Sequence, residues 1–287
     1  MTQTPRSYRY VAPFAVLLCG ALTVSGCASP APAAAESETP APAVKITPDA
    51  PPPPAEDSET AEAWLDRLEA SAAKTRTLKA RARLTSRVDL LDDETVRFGD
   101  LVYAGRDGEA PARFAVHFDR LKMDGQTDPV DQAYVFDGRW LLDLNGDDRV
   151  ATRRELVAEG EQADLNVGEG PFPLPLDLNK ARVMSRFDVA LLPAADDDPK
   201  PKQSTDAGSF HLRLIPHDGV EIEAEQIDLW FDRQTLLPLR AVTLQEDGDT
   251  TTLDLFNNTA DAELRPGTFD TSLPIDGNWE TQIVPLD

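Results

Sequence analysis

The feature that most constrains the fold is a change of period at Leu78. From there Leu78, Ala80, Ala82, Leu84, Val88 and Leu90 alternate with Lys79, Arg81, Arg83, Thr85, Arg87 and Asp89. A two-residue repeat this long predicts a half-buried strand with one apolar and one basic face. The basic row admits two readings, an anion site or a set of partners for acids on neighbouring strands. The second is preferred, because the chain has 51 Asp plus Glu against 28 Lys plus Arg and a net charge of −23.

Further strands are predicted over Thr95 to Tyr103, Arg113 to Phe118 (Phe114, Val116 and Phe118 on one face) and Gln132 to Phe136. Asp137-Gly138 signals a two-residue hairpin into Arg139 to Leu144, where Trp140, Leu142 and Leu144 alternate, and Asn145-Gly146 turns the chain into Arg149 to Val157. Strands joined by such short turns form an antiparallel meander. The C-terminal third repeats the pattern at His211 to Ile215, Gln226 to Phe231, Leu237 to Leu244 and Thr251 to Phe256. Phe269, Leu273-Pro274, Trp279 and Ile283 then close the chain.

Two helices are predicted. The first follows capping candidates Asp57 and Ser58 and runs about four turns, with Ala61, Leu65, Leu68 and Ala72 at helical spacing beside Trp64. The second runs from Asp177 or Leu178 to Phe187 and buries Val183, Met184 and Phe187. Before it, Gly168-Glu-Gly170-Pro171-Phe172-Pro173-Leu174-Pro175-Leu176 cannot be a regular helix or central strand. It is an apolar loop that must cover something, and it lacks the Lys and Ser or Thr of a phosphate cradle.

The N-terminus reads as an address. Arg6 and Arg9 precede an apolar run, Val11 to Val24, that is shorter than the ~20 residues of a membrane-spanning helix. Leu22-Thr-Val-Ser-Gly-Cys27 resembles the bacterial lipobox, which implies a signal peptide over 1–26 and lipid attachment at Cys27. Ala28 after the cysteine resembles the outer-membrane sorting signal. Residues 27–56 are rich in Ala, Pro, Glu, Ser and Thr and read as a disordered tether that reaches ~80 Å at ~3.1 Å per residue. Residues 57–287 are the folded domain. Of the two cysteines, Cys19 lies in the leader and Cys27 takes lipid, so no disulfide is expected.

Charge and motif content narrow the function. The acidic surface repels nucleic acid and anionic lipid head groups, and losing a leader with two arginines and no acid makes it more acidic still. The three histidines, His117, His211 and His217, have no thiol or acid at metal-ligand spacing. No Gly-x-Ser-x-Gly elbow is present, and Asp270-Thr271-Ser272 lacks the glycine of an aspartic-protease motif. Asp143 to Asp148 looks like a calcium loop, but Asp148 and Arg154 stand where that loop needs Gly and an acid. No enzyme activity, cofactor or metal is expected.

The order of elements resembles the LolA/LolB lipoprotein-carrier superfamily. The pieces that carry the likeness are Phe136-Asp137-Gly138-Arg139-Trp140, the run Gly168 to Pro175, Leu229-Trp230-Phe231-Asp232 with Leu237-Pro238, and the ending Asp247-Gly248, Phe256-Asn257-Asn258 and Phe269 before Leu273-Pro274. The tethered, acidic planctomycete-type version looks most similar. The resemblance implies an α+β fold, an incomplete antiparallel β-barrel (half-barrel) whose helices cover a concave apolar face, with acyl chains of lipids or lipoproteins as ligand. Candidate cavity residues are Phe114, Val116, Phe118, Phe136, Trp140, Phe172 and Leu174. The family's lid latch would fall on Arg106, displaced by one position and without the following Pro, and the acceptor's exposed leucine near Leu121 and Met123. The implied role is a carrier or acceptor in lipoprotein localisation, lipid-anchored on the periplasmic side at the outer membrane. The alternative is an envelope sensor that binds a regulatory protein partner.

Overall fold

The computed structural model describes residues 60–108, 110–161, 173–176, 178–196, 198–199 and 208–286. Cys27, the leader, the tether, Asp57, Ser58 and Phe172 lie outside the described residues. The predicted long strand is β1, Thr77–Val88. Leu78, Ala80, Ala82 and Leu84 are buried, as the alternation requires. The strand ends sooner than expected, because Asp89–Leu91 form one 3-10 turn closed by Asp92 in the left-handed region at φ 49°. Short acidic side chains tolerate that conformation. Leu90, expected on the apolar face, is therefore 90% exposed at the tip.

The chain returns as β2, Asp93–Ala104, in full register with β1. In the basic row of β1, Arg81 and Arg83 pair with acids on neighbouring strands as expected, whereas Arg87 pairs with an acid of the following turn and Lys79 donates to the Glu263 backbone carbonyl. Arg81 reaches Asp100 at 2.8 Å and Asp119 at 3.4 Å, Arg83 reaches Asp254 at 2.7 Å, and Arg87 reaches Asp92 at 3.1 Å.

Strands β3, Arg113–Met123, and β4, Gln126–Phe136, are each five or six residues longer than predicted. Asp124-Gly125 joins them with both φ angles positive, 51° and 76°, the geometry of a tight hairpin turn. Pro129, part of β4, has no N–H to give to a ladder. It sits where the β3–β4 pairing breaks register, between Phe118↔Gln132 and Arg120↔Pro129, a position a missing N–H tolerates. A matching shift separates Phe98↔Arg120 from Gly99↔Phe118. Asp119 is thus the extra residue of a bulge, and such bulges bend a strand and increase its twist. Ala82 opposes Gly99 there, so small residues line the buried face at the bend.

β5, Trp140–Asn145, and β6, Val150–Glu155, complete the first half. Asp137 organises its turn by accepting from the backbone N–H groups of Arg139 (2.9 Å) and Trp140 (2.8 Å). Asn145 accepts from the Asp148 backbone N–H at 3.1 Å and donates to its carboxylate at 2.7 Å, so Asp148 is engaged within its own turn.

In the second half, α2 spans Lys180–Arg186, capped by Asn179, which accepts from the Arg182 N–H. Phe187 does not end this helix as predicted. It opens an unpredicted strand, β7, Phe187–Leu192. β8 (Ser209–Pro216), β9 (Ala224–Asp232), β10 (Pro238–Gln245) and β11 (Thr250–Ala260) follow near their expected places. β12, Glu280–Val284, was expected only as closing apolar residues, and pairs parallel with β6. The sheet order is β12-β6-β5-β4-β3-β2-β1-β11-β10-β9-β8-β7, an open twelve-stranded sheet with β1 at the seam between its halves. With two α-helices among the described residues, this is an incomplete α+β barrel.

Helix α1, Ala61–Ala72, begins at Thr60, whose side chain accepts from the Ala63 N–H, and runs three turns rather than four. It buries Trp64, Leu65 and Leu68. Asp66 meets Lys180 of α2 at 2.8 Å, and Glu69 accepts from Asn179 at 2.6 Å. No helix among the described residues is long and apolar enough to cross a membrane.

Candidate functional site

Directly opposed residues share a face of a sheet, so register shows where the apolar side lies. Leu191, Leu212, Leu229, Ala241, Leu253 and Leu84 form one row from β7 to β1. That face carries two apolar clusters. One gathers β7–β10 under the helices, where Trp64, Leu65, Leu68 and Val183 meet Phe210, Leu212, Leu229 and Phe231. The other gathers β1–β5 with β11, built from Leu78, Leu84, Leu101, Phe114, Val116, Phe118, Phe136, Leu141, Leu253 and Leu255.

The second cluster collects most of the predicted cavity residues. Phe114, Val116, Phe118, Phe136 and Leu174 all belong to it and are buried. The Phe114 and Phe136 rings lie 5.5 Å apart, and Tyr134 meets Phe118 edge-on at 6.5 Å. The helices were expected to cover these residues, and they cover the other cluster instead. The described cover here is the proline-rich segment 173–176, which inserts Leu174 and Leu176 while forming neither helix nor strand.

Trp140 is placed differently from the prediction. Register sets Leu141 opposite Phe136 and into the cluster, so Trp140, one residue away, falls on the other face. There it is half-buried, with Arg153 4.2 Å and Arg139 5.6 Å from its ring. Arg106 stands exposed in the loop after β2. Leu121 is half-buried in β3 and Met123 is 46% exposed, whereas the most exposed leucines of the meander are Leu90 and Leu91 at 90% and 71%. Among the described residues, no group of three or more His, Cys, Asp or Glu side chains is placed to hold a metal ion.

The apolar face has one acidic margin. Asp143 follows Leu141 by two residues on β5 and opposes Tyr134 and Thr152. Burial pushes its carboxyl above the ordinary value, and Arg154 only partly opposes this. A raised carboxyl binds its proton more tightly in the folded state, so folding loses stability as pH climbs from the ordinary Asp value of about 4 through the higher folded one. Asp143→Asn is therefore expected to raise the melting temperature at pH 7, with the gain shrinking toward pH 3, measured by calorimetry across that range.

No protein-family model matches the chain, and no curated protein matches it. Among solved structures it is similar to an uncharacterized conserved protein from Thermus thermophilus, at 14% identity and TM-score 0.42, covering 79% of this chain and 99% of that one. It is also similar to the Pseudomonas aeruginosa MucA/MucB complex structure, at 16% identity and TM-score 0.41, covering 74% of this chain and 61% of that one. A third is a LolA superfamily protein from Nitrosomonas europaea, at 13% identity and TM-score 0.33, covering 74% of this chain and 98% of that one.

Proposed function

We propose that this protein is an envelope lipoprotein, held at the outer membrane through an acylated Cys27, that accommodates acyl chains of lipids or lipoproteins against the β1–β5 face. The observation that carries the reading is the cover of that face. The described part is made chiefly by Leu174 and Leu176 on a proline-rich segment outside the sheet, with Ala112, Val157 and Leu237 from loops beside them and no helix, whereas the neighbouring cluster is covered by two packed helices. Displacing the two leucines costs about 3–6 kcal/mol at 1.5–3 kcal/mol each. Burying a dozen methylenes contributes roughly 10 kcal/mol at ~0.8 kcal/mol each, so exchange of cover for ligand is favourable. The interaction is apolar transfer, which suits a carrier or acceptor better than a catalyst.

Full-length chain purified in mild detergent is expected to show, by native mass spectrometry, lipid adducts beyond the modification of Cys27, and after delipidation to take up a fluorescent fatty acid. Adduct-free protein that also takes up no probe would overturn the assignment.

A further inference from the structure

The face opposite the apolar clusters carries a trough of about 470 Å³. Two cross-strand rows form its floor. One runs His211, Trp230, Arg240, Asp254 and Arg83 over β8, β9, β10, β11 and β1, each directly opposite the next. The other, two residues along, runs Arg213, Asp228, Val242, Thr252 and Thr85. Ala195 and Asp198, from the segment after β7, also line it.

The acids lie at the bottom and the cations reach upward. Asp254 takes Arg83 Nε and Nη2 on one oxygen, at 3.0 and 2.7 Å, and Arg240 Nε on the other at 2.7 Å. Asp228 takes Arg213 at 2.8 and 3.2 Å, His211 at 2.7 Å and Gln226 at 2.6 Å. Burial pushes the Asp228 carboxyl up, but the bonds from His211 and Arg213 outweigh it and hold it below the ordinary value. Both carboxylates are nearly buried, at 10% and 9% exposure, while Arg83, Arg213 and Arg240 keep 44%, 38% and 26%. Asp198 is engaged by Trp230 Nε1 at 2.7 Å and by the Ala195 N–H. His211 stacks on Trp230 at 4.0 Å and Arg240 stands 5.8 Å from its ring, so the indole walls the arginine and is not an open platform.

Ion pairing alone leaves donors over. Arg240 gives only its Nε to Asp254, so its terminal nitrogens have no hydrogen-bond acceptor among the described residues, and the same holds for Nη1 of Arg83 and of Arg213. Thr85 and Thr252 stand opposite one another and add two hydroxyls. A carboxylate's two oxygens are satisfied by a single guanidinium fork, whereas a phosphoryl group's three oxygens suit donors from several residues. The volume lies within the range of small-molecule sites and exceeds that of a bare phosphate ion.

We propose that the trough binds a phosphate-bearing organic molecule, its phosphoryl oxygens held by the terminal nitrogens of Arg83 and Arg240 and the Thr252 hydroxyl, with the remainder lying over Val242 toward Arg213. This site is independent of the acyl-binding face and stands or falls separately.

Titration calorimetry of the full-length chain with glycerol 3-phosphate, inorganic phosphate and acetate tests it. Both phosphates are expected to bind about tenfold or more tightly than acetate. Arg240→Gln should weaken glycerol 3-phosphate about tenfold, and Thr252→Val, which leaves both ion-pair ladders intact, about threefold to fivefold with little change in melting temperature. Competition by phosphatidic acid vesicles would assign the phosphate to a lipid headgroup and its absence to a soluble ester, and either result supports the site. Absence of phosphate binding up to about 10 mM, equal affinity for acetate, or unchanged affinity in Thr252→Val would overturn it.

Discussion

Replacing Trp64 with alanine is expected to lower the unfolding free energy by about 3–5 kcal/mol, the range for deleting a buried aromatic. Trp64 is only 3% exposed and stacks on Phe210 at 3.9 Å, which in turn stacks on Phe231 at 5.5 Å. Arg67 and Arg233 flank the ring at 4.5 and 5.3 Å, adding cation–π attraction of about 0.5–1 kcal/mol each. The ring is the main bolt between α1 and the β8–β9 surface, so its loss should loosen the helix as well as the core. A sharper test is Trp64→Phe. The indole Nε1 is buried with no hydrogen-bond partner among the described residues, and such an orphan donor costs about 1–3 kcal/mol. Phenylalanine keeps the stack and removes that donor, so it should remain within about 1 kcal/mol of the native protein. Urea denaturation followed by circular dichroism distinguishes the two variants, and equal losses would show that stacking is not what Trp64 contributes.

Gly99→Ala is expected to cost about 3 kcal/mol or more, at or beyond the upper end for overpacking. A Cβ there would lie 2.8 Å from the Phe118 Cα and from the His117 carbonyl carbon, and closer still to that carbonyl's oxygen. These are backbone atoms of the neighbouring strand, so no side-chain rotation relieves the contact. The close approach is the bulge itself, where Asp119 is squeezed out of register and turned toward Arg81. Straightening it would break that ion pair and shift the β3–β4 hairpin relative to Phe118. Gly125→Ala is the control for backbone freedom alone, since a Cβ there meets nothing within 4 Å although its φ is positive. Chemical denaturation should show a much larger drop in midpoint for Gly99→Ala, and comparable drops would mean the bulge accommodates the methyl.

Local pattern was informative wherever a strand has one buried face. The alternation of β1 placed Leu78 to Leu84 inward and its arginines outward, and that of β3 placed Phe114, Val116 and Phe118 together. Where burial is absent, the signal is absent too. β12 is exposed along nearly its whole length, so no alternation marks it, and its parallel pairing with β6 joins segments far apart in sequence. The far ends of β3 and β4 are exposed for the same reason. Trp140 went to the other face because the Asp137 turn sets register, and a shift of one residue exchanges the faces of a strand. Of the trough, only the basic row of β1 with Arg83 was legible, as one of two readings of that row. Its residues come from five strands and the segment after β7, spread between Arg83 and Asp254, and most of them alone read as ordinary outward polar positions.

By itself, the sequence determined that Leu78 to Leu84 would be a strand with an apolar and a basic face, because side-chain period is a local property of a pleated backbone. Only the tertiary structure decided what those faces meet. Backbone hydrogen bonds hold β2 on one edge of β1, a neighbour supplied by the next turn, and β11 on the other, from some 170 residues downstream. Such bonds are the same for every residue and leave no mark in the side chains. For that reason Arg83 could be read as half of an ion pair, but its partner Asp254, and the row that pair completes, existed only once the sheet had formed.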